Sequence, residues 1–182
     1  KAAGITAAGM LAVFAELESA ESVIFDHGNR SIALWPNLLE QIGIADAYQQ
    51  KGSIITAHPQ DYNELDHFID TLKSKVEEAS EIKLLDRQAL TQLEPDLDQH
   101  AKAFFIPHEG QVDAQRFMKA SSDYLLAHPK VTWCGETKVT HVSEGRITVG
   151  DESKTYDWVF DARGLGAQEE IDGLRGVRGE VF

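Results

Sequence analysis

The chain has one cysteine, Cys134, in 182 residues. It therefore has no internal disulfide, which fits a reducing compartment. No run reaches the roughly 18 consecutive apolar residues of a membrane-spanning helix, and the first residues lack the charged-then-apolar order of a signal peptide. The expectation is a soluble, cytoplasmic protein. Basic residues are scarce: 17 Lys and Arg stand against 30 Asp and Glu, for a formal net charge of −13. A field of that sign repels phosphate backbones and anionic lipid, so neither nucleic acid nor a membrane surface is expected as a partner. The histidines at 27, 58, 67, 100, 108, 128 and 141 form no HxxxH pair, and there is no paired CxxC, so no metal site is expected. No GxSxG elbow marks a serine nucleophile. Cys134, in "TWCGE", sits in a segment that reads as strand, where an inert thiol is the common outcome. No acid–base dyad stands out, no segment is of low complexity, and nothing repeats.

The chain does have enough hydrophobic residues, 42%, to build a core. Residues 2–12 are small or aliphatic without a clean period, which reads as a glycine-bearing loop entering a helix. From Ser19 the apolar residues follow a helical pattern interrupted by Gly28 and Pro36. An interior proline costs a helix about 3 kcal/mol, so the helix is expected to kink or restart at Pro36. "GSIITAH" (52–58) reads as a β-branched strand. "DYNELDHFIDTLKSKVEEA" follows, with Asp61 and Glu64 in capping-box spacing and an apolar stripe of Tyr62, Leu65, Phe68, Ile69, Leu72 and Val76. "IKLLD" (82–86) predicts a strand leading into the short helix "RQALTQL", ended by Pro95. "KAFFIP" (102–107) predicts another strand. Asp113 is placed to cap a helix to about Ala127, with Phe117, Tyr124 and Leu125 facing inward. Residues 130–162 ("KVTW", "TKVTHV", "RITV", "YDWVFDA") predict a β-meander. The order of elements is α/β or mixed α+β, with two interleaved subregions.

Two glycine-bearing segments could receive a ligand. "GITAAGMLA" offers little side-chain bulk, so a planar or phosphorylated group could lie against its backbone. "WVFDARGLGA" is an apolar strand followed at once by Gly164 and Gly166, and in an open α/β sheet ligands sit at the carboxyl ends of strands. Either segment is also explained by a plain tight turn.

"AAGMLA", "AELE", "LLDRQALTQLEPDL", "EGQVDAQRFMKA", "VFDARGLGA" and "LRGVRGEVF" follow one another along nearly the whole chain. In that order they resemble FAD-dependent oxidoreductases of the D-amino acid oxidase superfamily, and the glycine oxidase branch in particular. The resemblance implies a Rossmann-like FAD-binding layer with a β-meander, plus part of a substrate-domain sheet. It implies that Thr6, Ala7, Ala8, Gly9, Met10 and Leu11 lie against the isoalloxazine ring, where bulk would collide with the flavin. It implies that the main chain of Val139 meets the adenine, and that Ala162, Arg163, Gly164 and Leu165 form the turn over the ribose and pyrophosphate. Arg163 departs from the small residue usual there. The implied division is 1–46 flavin domain, 47–112 substrate lobe, 113–174 flavin domain with the meander, and 175–182 the start of the strand returning to the substrate domain.

The family's opening strand with GxGxxG and its C-terminal half, which supplies the arginine for the substrate carboxylate, have no counterpart here. The expectation is the middle of a larger enzyme. The implied activity is oxidation of a C–N bond of a small amino acid or secondary amine, with hydride passing to FAD and an imine product that water hydrolyses. Such chemistry asks the protein chiefly to orient substrate and tune flavin, so no catalytic side chain is assigned in this chain. One alternative is a flavin-fold binding or modification partner without turnover; another is a non-flavin α/β domain whose glycine turns are only turns.

Plain structural readings remain for several residues. Trp35, Trp133 and Trp158 read as core or interface aromatics, and His108 as a solvated turn histidine. Arg175 and Arg178 could contact a phosphate or pair with surplus acids. Glu77, Glu78 and Glu81 read as a solvated helix end.

Overall fold

The computed structural model describes residues 3–17 and 22–176. Residues 177–182, which hold Arg178 and "VRGEVF", lie outside that range, as do 18–21. The chain divides into two compact units, residues 1–124 and 125–182.

In the first unit the elements are α1 (Ala3–Thr6), β1 (Met10–Leu11), α2 (Val13–Glu16), α3 (Ser22–Gln41), β2 (Tyr48–Gln49), β3 (Ser53–Thr56), α4 (Tyr62–Lys75), β4 (Lys83–Asp86), α5 (Arg87–Leu93), β5 (Lys102–Ile106) and β6 (Gly110–Val112). A sixth helix, α6 (Ala114–Ala127), follows. Two small antiparallel sheets result, one ordered β1-β6-β2 and the other β3-β5-β4.

The core joins the apolar stripe of α4 (Leu65, Ile69, Leu72) to Phe104 and Ile106 of β5, Phe25 and Ile32 of α3, and Val13, Phe14 and Leu17 at α2. Tyr62, Phe68 and Val76, the rest of the α4 stripe, are partly buried against it. Phe14 meets Phe25 edge-on with ring centroids 5.0 Å apart, a geometry favoured by the ring quadrupoles.

The helix α3 runs unbroken through Pro36, against the expected restart. Phe25, Ile32 and Leu39 recur every seven residues along it and are all buried. Each such side chain contributes about 1.5–3 kcal/mol, which together exceeds the roughly 3 kcal/mol cost of the proline.

The expected capping box of α4 is not made. The 3-10 turn Pro59–Asp61 runs directly into the helix, leaving Asp61 at φ −106°, ψ 10° rather than extended, and its side chain caps nothing. Asp86 does cap α5, accepting from the Ala89 N–H at 2.9 Å. Asp113 caps α6, accepting from the Arg116 N–H at 3.0 Å. On α6, Phe117 packs edge-on against Trp35 at 5.0 Å. Tyr124 and Leu125, expected inside, are exposed. The loop expected over 2–12 is in part helical, as α1 shows.

In the second unit, β7 (Val139–Ser143), β8 (Arg146–Val149) and β9 (Glu152–Thr155) form an antiparallel meander with two-residue turns. It is shorter than the expected 130–162. "KVTW" and "YDWVFDA" are not strands: their residues favour a pleated surface, but no described strand pairs with either. Trp158 and Phe160 are consequently 79% and 88% exposed, and Trp133 is exposed as well, so neither Trp133 nor Trp158 is a core residue of the described structure.

No helix among the described residues is long and apolar enough to cross a membrane.

Candidate functional site

The loop after α1 is built from small residues because protein backbone passes close beside it. The Val112 N–H donates to the Gly9 carbonyl at 2.9 Å, and the Gln111 side-chain amide donates to the Ala8 carbonyl at 3.1 Å. Met10 and Leu11 pair with Gln111 and Gly110. Gly9 has φ +73°, and a Cβ there would stand 1.9 Å from the Val112 carbonyl oxygen. No other residue fits that position.

The outward side of the loop is open. Thr6 and Ala7 are exposed, and Met10 is 61% exposed, while Leu11 turns toward the core. A cleft of about 380 Å³ lies beside β1, bounded by Met10, Leu11, Ala12, Glu16, Ile24 and Ser31.

Just before β6 sits Glu109, 2% exposed and the one buried charged residue among those described. One carboxylate oxygen accepts the Phe14 N–H at 3.0 Å, and the other accepts the Ser53 hydroxyl. Burial raises its pKa; the Ser53 hydroxyl and the Phe14 and Ala15 N–H groups oppose the shift by favouring the charged form. Sequence reasoning passed over Glu109, because nothing in "HEGQV" separates a buried acid from an ordinary turn acid.

The remaining predicted site residues lie in the second unit. Val139, half-buried, opens β7 opposite Val149, and a bulge follows it before His141. Ala162 and Arg163 lead into a 3-10 turn, Gly164–Ala167. Gly164 has φ +56°, with open space where a Cβ would point, and Leu165 is exposed.

The Arg163 guanidinium is held by Asp161 at 2.9 and 2.7 Å and by Glu170 at 2.9 Å. These contacts raise the pKa of Arg163. Hydrogen bonds from the Arg163 side chain and backbone hold Asp161 down to about 2. Glu170 also accepts the Val142 N–H at 3.0 Å and lies 3.0 Å from His141 Nδ1. One carboxylate thus ties the turn at 164–167 to β7, and the Arg163 side chain is committed to protein partners.

Other singled-out residues fall as follows. His108 Nε2 lies 2.7 Å from Glu81, at a cleft of about 460 Å³ bounded also by Asn29, Tyr48, Gln50 and Glu78; the turn histidine thus borders a pocket. Glu77, Glu78 and Glu81 lie on a solvated 3-10 helix. Cys134 and Arg175 are exposed.

The family model described as FAD dependent oxidoreductase (DAO) matches residues 1–182. An oxidoreductase assigned to thiamine biosynthesis, ThiO of Rhizobium etli, is 28% identical over 97% of this chain and 47% of its own length. The chain therefore spans about half the length of that relative. The crystal structure of glycine oxidase from Geobacillus kaustophilus superposes with a TM-score of 0.68 at 23% identity, over 85% of this chain and 43% of that one. Iminodiacetate oxidase from Chelativorans superposes at 0.64 with 18% identity, over 91% and 47%. At these identities the structural likeness establishes the fold, which is that of the FAD-dependent oxidoreductases.

Proposed function

The chain belongs to the FAD-dependent oxidoreductase family, and from that premise we propose that it is the central portion of an enzyme that oxidises a C–N bond of a small amino acid or secondary amine. The family supplies the cofactor, FAD. The observation that carries the reading is the exposed small-residue loop, Thr6 to Met10, pinned from behind by β6 with a cleft beside it. A flat ring needs such a face: low bulk, fixed carbonyls and no side chain across it.

In this reading Thr6, Ala7, Ala8, Gly9, Met10 and Leu11 support the ring system. Val139 meets the adenine through its main chain, and Ala162, Arg163, Gly164 and Leu165 cover the ribose and pyrophosphate. Arg163 contributes through its backbone, since Asp161 and Glu170 engage its guanidinium. The open space and positive φ at Gly164 suit a backbone that a ligand approaches closely. The division into flavin segments 1–46 and 113–174, substrate lobe 47–112 and returning strand 175–182 goes with this assignment.

Bound FAD supplies the acceptor for the hydride leaving the carbon beside the amine. The chain's own work is positional. The Val112 N–H and the Gln111 amide use up the inner carbonyls of the loop, so its outer face stays in one arrangement. No proton transfer is assigned to a side chain of this chain. The glycine oxidase likeness supports an amine substrate.

The test is the full-length protein. It is expected to purify yellow and to bleach anaerobically when a small amine such as glycine or sarcosine is added. A colourless protein would sink the assignment. A yellow protein that no amine bleaches would favour the binding partner without turnover.

A further inference from the structure

The loop at 7–9 contributes no side chain to the core; among its neighbours, Leu11 is partly buried and Phe14 fully. Its position therefore depends on the pins from β6 and on how the chain just past it is held at Phe14, where the acceptor is a residue outside β6. We propose that Glu109 is a positioning residue, holding the loop 6–11 in the arrangement that receives the flavin by fixing Phe14 to Ser53; this rests on the reading of that loop given above.

Two segments far from it in sequence converge on Glu109. Its carboxylate accepts from Phe14, 95 residues away, and from Ser53, 56 away. Its backbone carbonyl accepts the Gly52 N–H at 3.0 Å. The next residue, Gly110, pairs with Leu11. One residue thus ties the chain just past β1 to the start of β3, using side chain and main chain together.

The choice of a charge is informative. A buried carboxylate loses hydration, and an apolar residue of similar size in such a place is often neutral or stabilising overall. Stability alone gives little reason to place an acid here. Geometry does: two acceptor oxygens meet two donors from different segments at fixed angles, which an apolar side chain cannot do. No buried side-chain polar atom among the described residues lacks a partner, so the arrangement is complete without a further group.

The quantity at stake is the fraction of time the loop spends in its receptive arrangement. Apparent affinity falls in proportion to that fraction. Removing a carboxylate that leaves a buried N–H unpaired corresponds to about a tenfold change or more.

The experiment uses the full-length protein with Glu109→Ala, Glu109→Gln and Ser53→Ala. FAD binding to the apoprotein is titrated by quenching of flavin fluorescence, and the visible flavin spectrum and the apoprotein melting temperature are recorded beside it. Glu109→Ala is expected to bind FAD about tenfold more weakly, with a shifted visible band. Glu109→Gln is expected to recover most of both, because its amide oxygen accepts from Phe14 while the Ser53 hydroxyl turns to accept from the amide. Ser53→Ala is expected to move both readouts in the same direction by less, and it decides the matter where Glu109→Ala does not fold. Variants that melt earlier yet keep wild-type FAD affinity and spectrum overturn the inference while leaving the cofactor reading intact. A wild-type protein that binds no FAD overturns that reading, and this inference with it.

Discussion

Residues 1–124 and 125–182 are held together by different physics. The first unit buries a continuous set of aromatic and aliphatic side chains, and the one buried charge among its described residues is satisfied by protein donors. In the second, Ala167 is the only buried residue among those described. Its three-stranded meander and the turn at 164–167 are joined through Glu170, which accepts the Val142 N–H and forms an ion pair with Arg163, itself paired with Asp161. Apolar burial is insensitive to salt and pH, whereas exposed pairs are screened and titrate. The aromatic run 156–160 is strand-like in sequence but pairs with no described strand; only the Tyr156 N–H is bonded to backbone among the described residues, on the Gly145 carbonyl at 2.8 Å, and Trp158 and Phe160 are exposed.

The largest contrast is expected from truncating one large aromatic in each unit. Phe14→Ala should cost about 3–5 kcal/mol in urea unfolding, by lost transfer energy and a cavity. Trp158→Ala should stay within about 0.5 kcal/mol in the 182-residue chain, where the ring is solvated. In the full-length protein the same Trp158→Ala change should cost about 3 kcal/mol if residues 156–162 become a paired, covered strand. Equal effects in both lengths would break that part of the comparison.

Glycines sharpen the contrast at the next level. Gly9→Ala meets both positive φ, worth about 1–2 kcal/mol, and the Val112 carbonyl, so it should destabilise by more than about 2 kcal/mol. Gly164→Ala meets only the backbone term, about 1 kcal/mol, since the space beside it is open. With valine at either position the full-length protein should leave gel filtration with less flavin. Unchanged stoichiometry in both would refute the placement of the two loops.

The pH response should differ in sign. Asp161, held down to about 2 by Arg163, and Glu170, lowered chiefly by the same guanidinium, favour the folded second unit above the ordinary carboxylate range. That contribution is lost as pH falls through their lowered folded values. Glu109 is raised by burial. Its protonated form favours the folded first unit below the ordinary range, and the contribution is lost as pH rises through the raised value. Melting curves from pH 2 to 7, at low and at high salt, should show an acid-labile, salt-sensitive signal that Arg163→Met removes, and an opposite slope that Glu109→Gln removes.

The smallest expected effect is that of His108→Ala in the full-length enzyme. Flavin reduction at saturating amine should slow by less than about tenfold, because a general acid or base contributes 10²–10⁴. Stopped-flow reduction that slowed a thousandfold, with loss of one limb of the pH profile, would make the histidine a proton-transfer group.

What the sequence determined by itself were features that depend on neighbours along the chain. The stripe of α4, the aspartate caps of α5 and α6, and strands β3, β4 and β5 were legible because spacing and capping are local. The family was legible from ordered motifs.

Tertiary structure decided what depends on a partner far along the chain. Pro36 stays helical because Phe25, Ile32 and Leu39 on the same helix are all buried. Residues 156–162 are not a strand because a strand exists only where another edge accepts its hydrogen bonds. Tyr124 and Leu125 are exposed although the helix they occupy was foreseen, since periodicity gives an apolar face but not what meets it. Glu109, invisible among thirty acids, became a buried tie between distant segments only when Phe14 and Ser53 were folded onto its carboxylate. Burial and hydrogen-bond partnership are relations between distant residues, fixed when the chain packs.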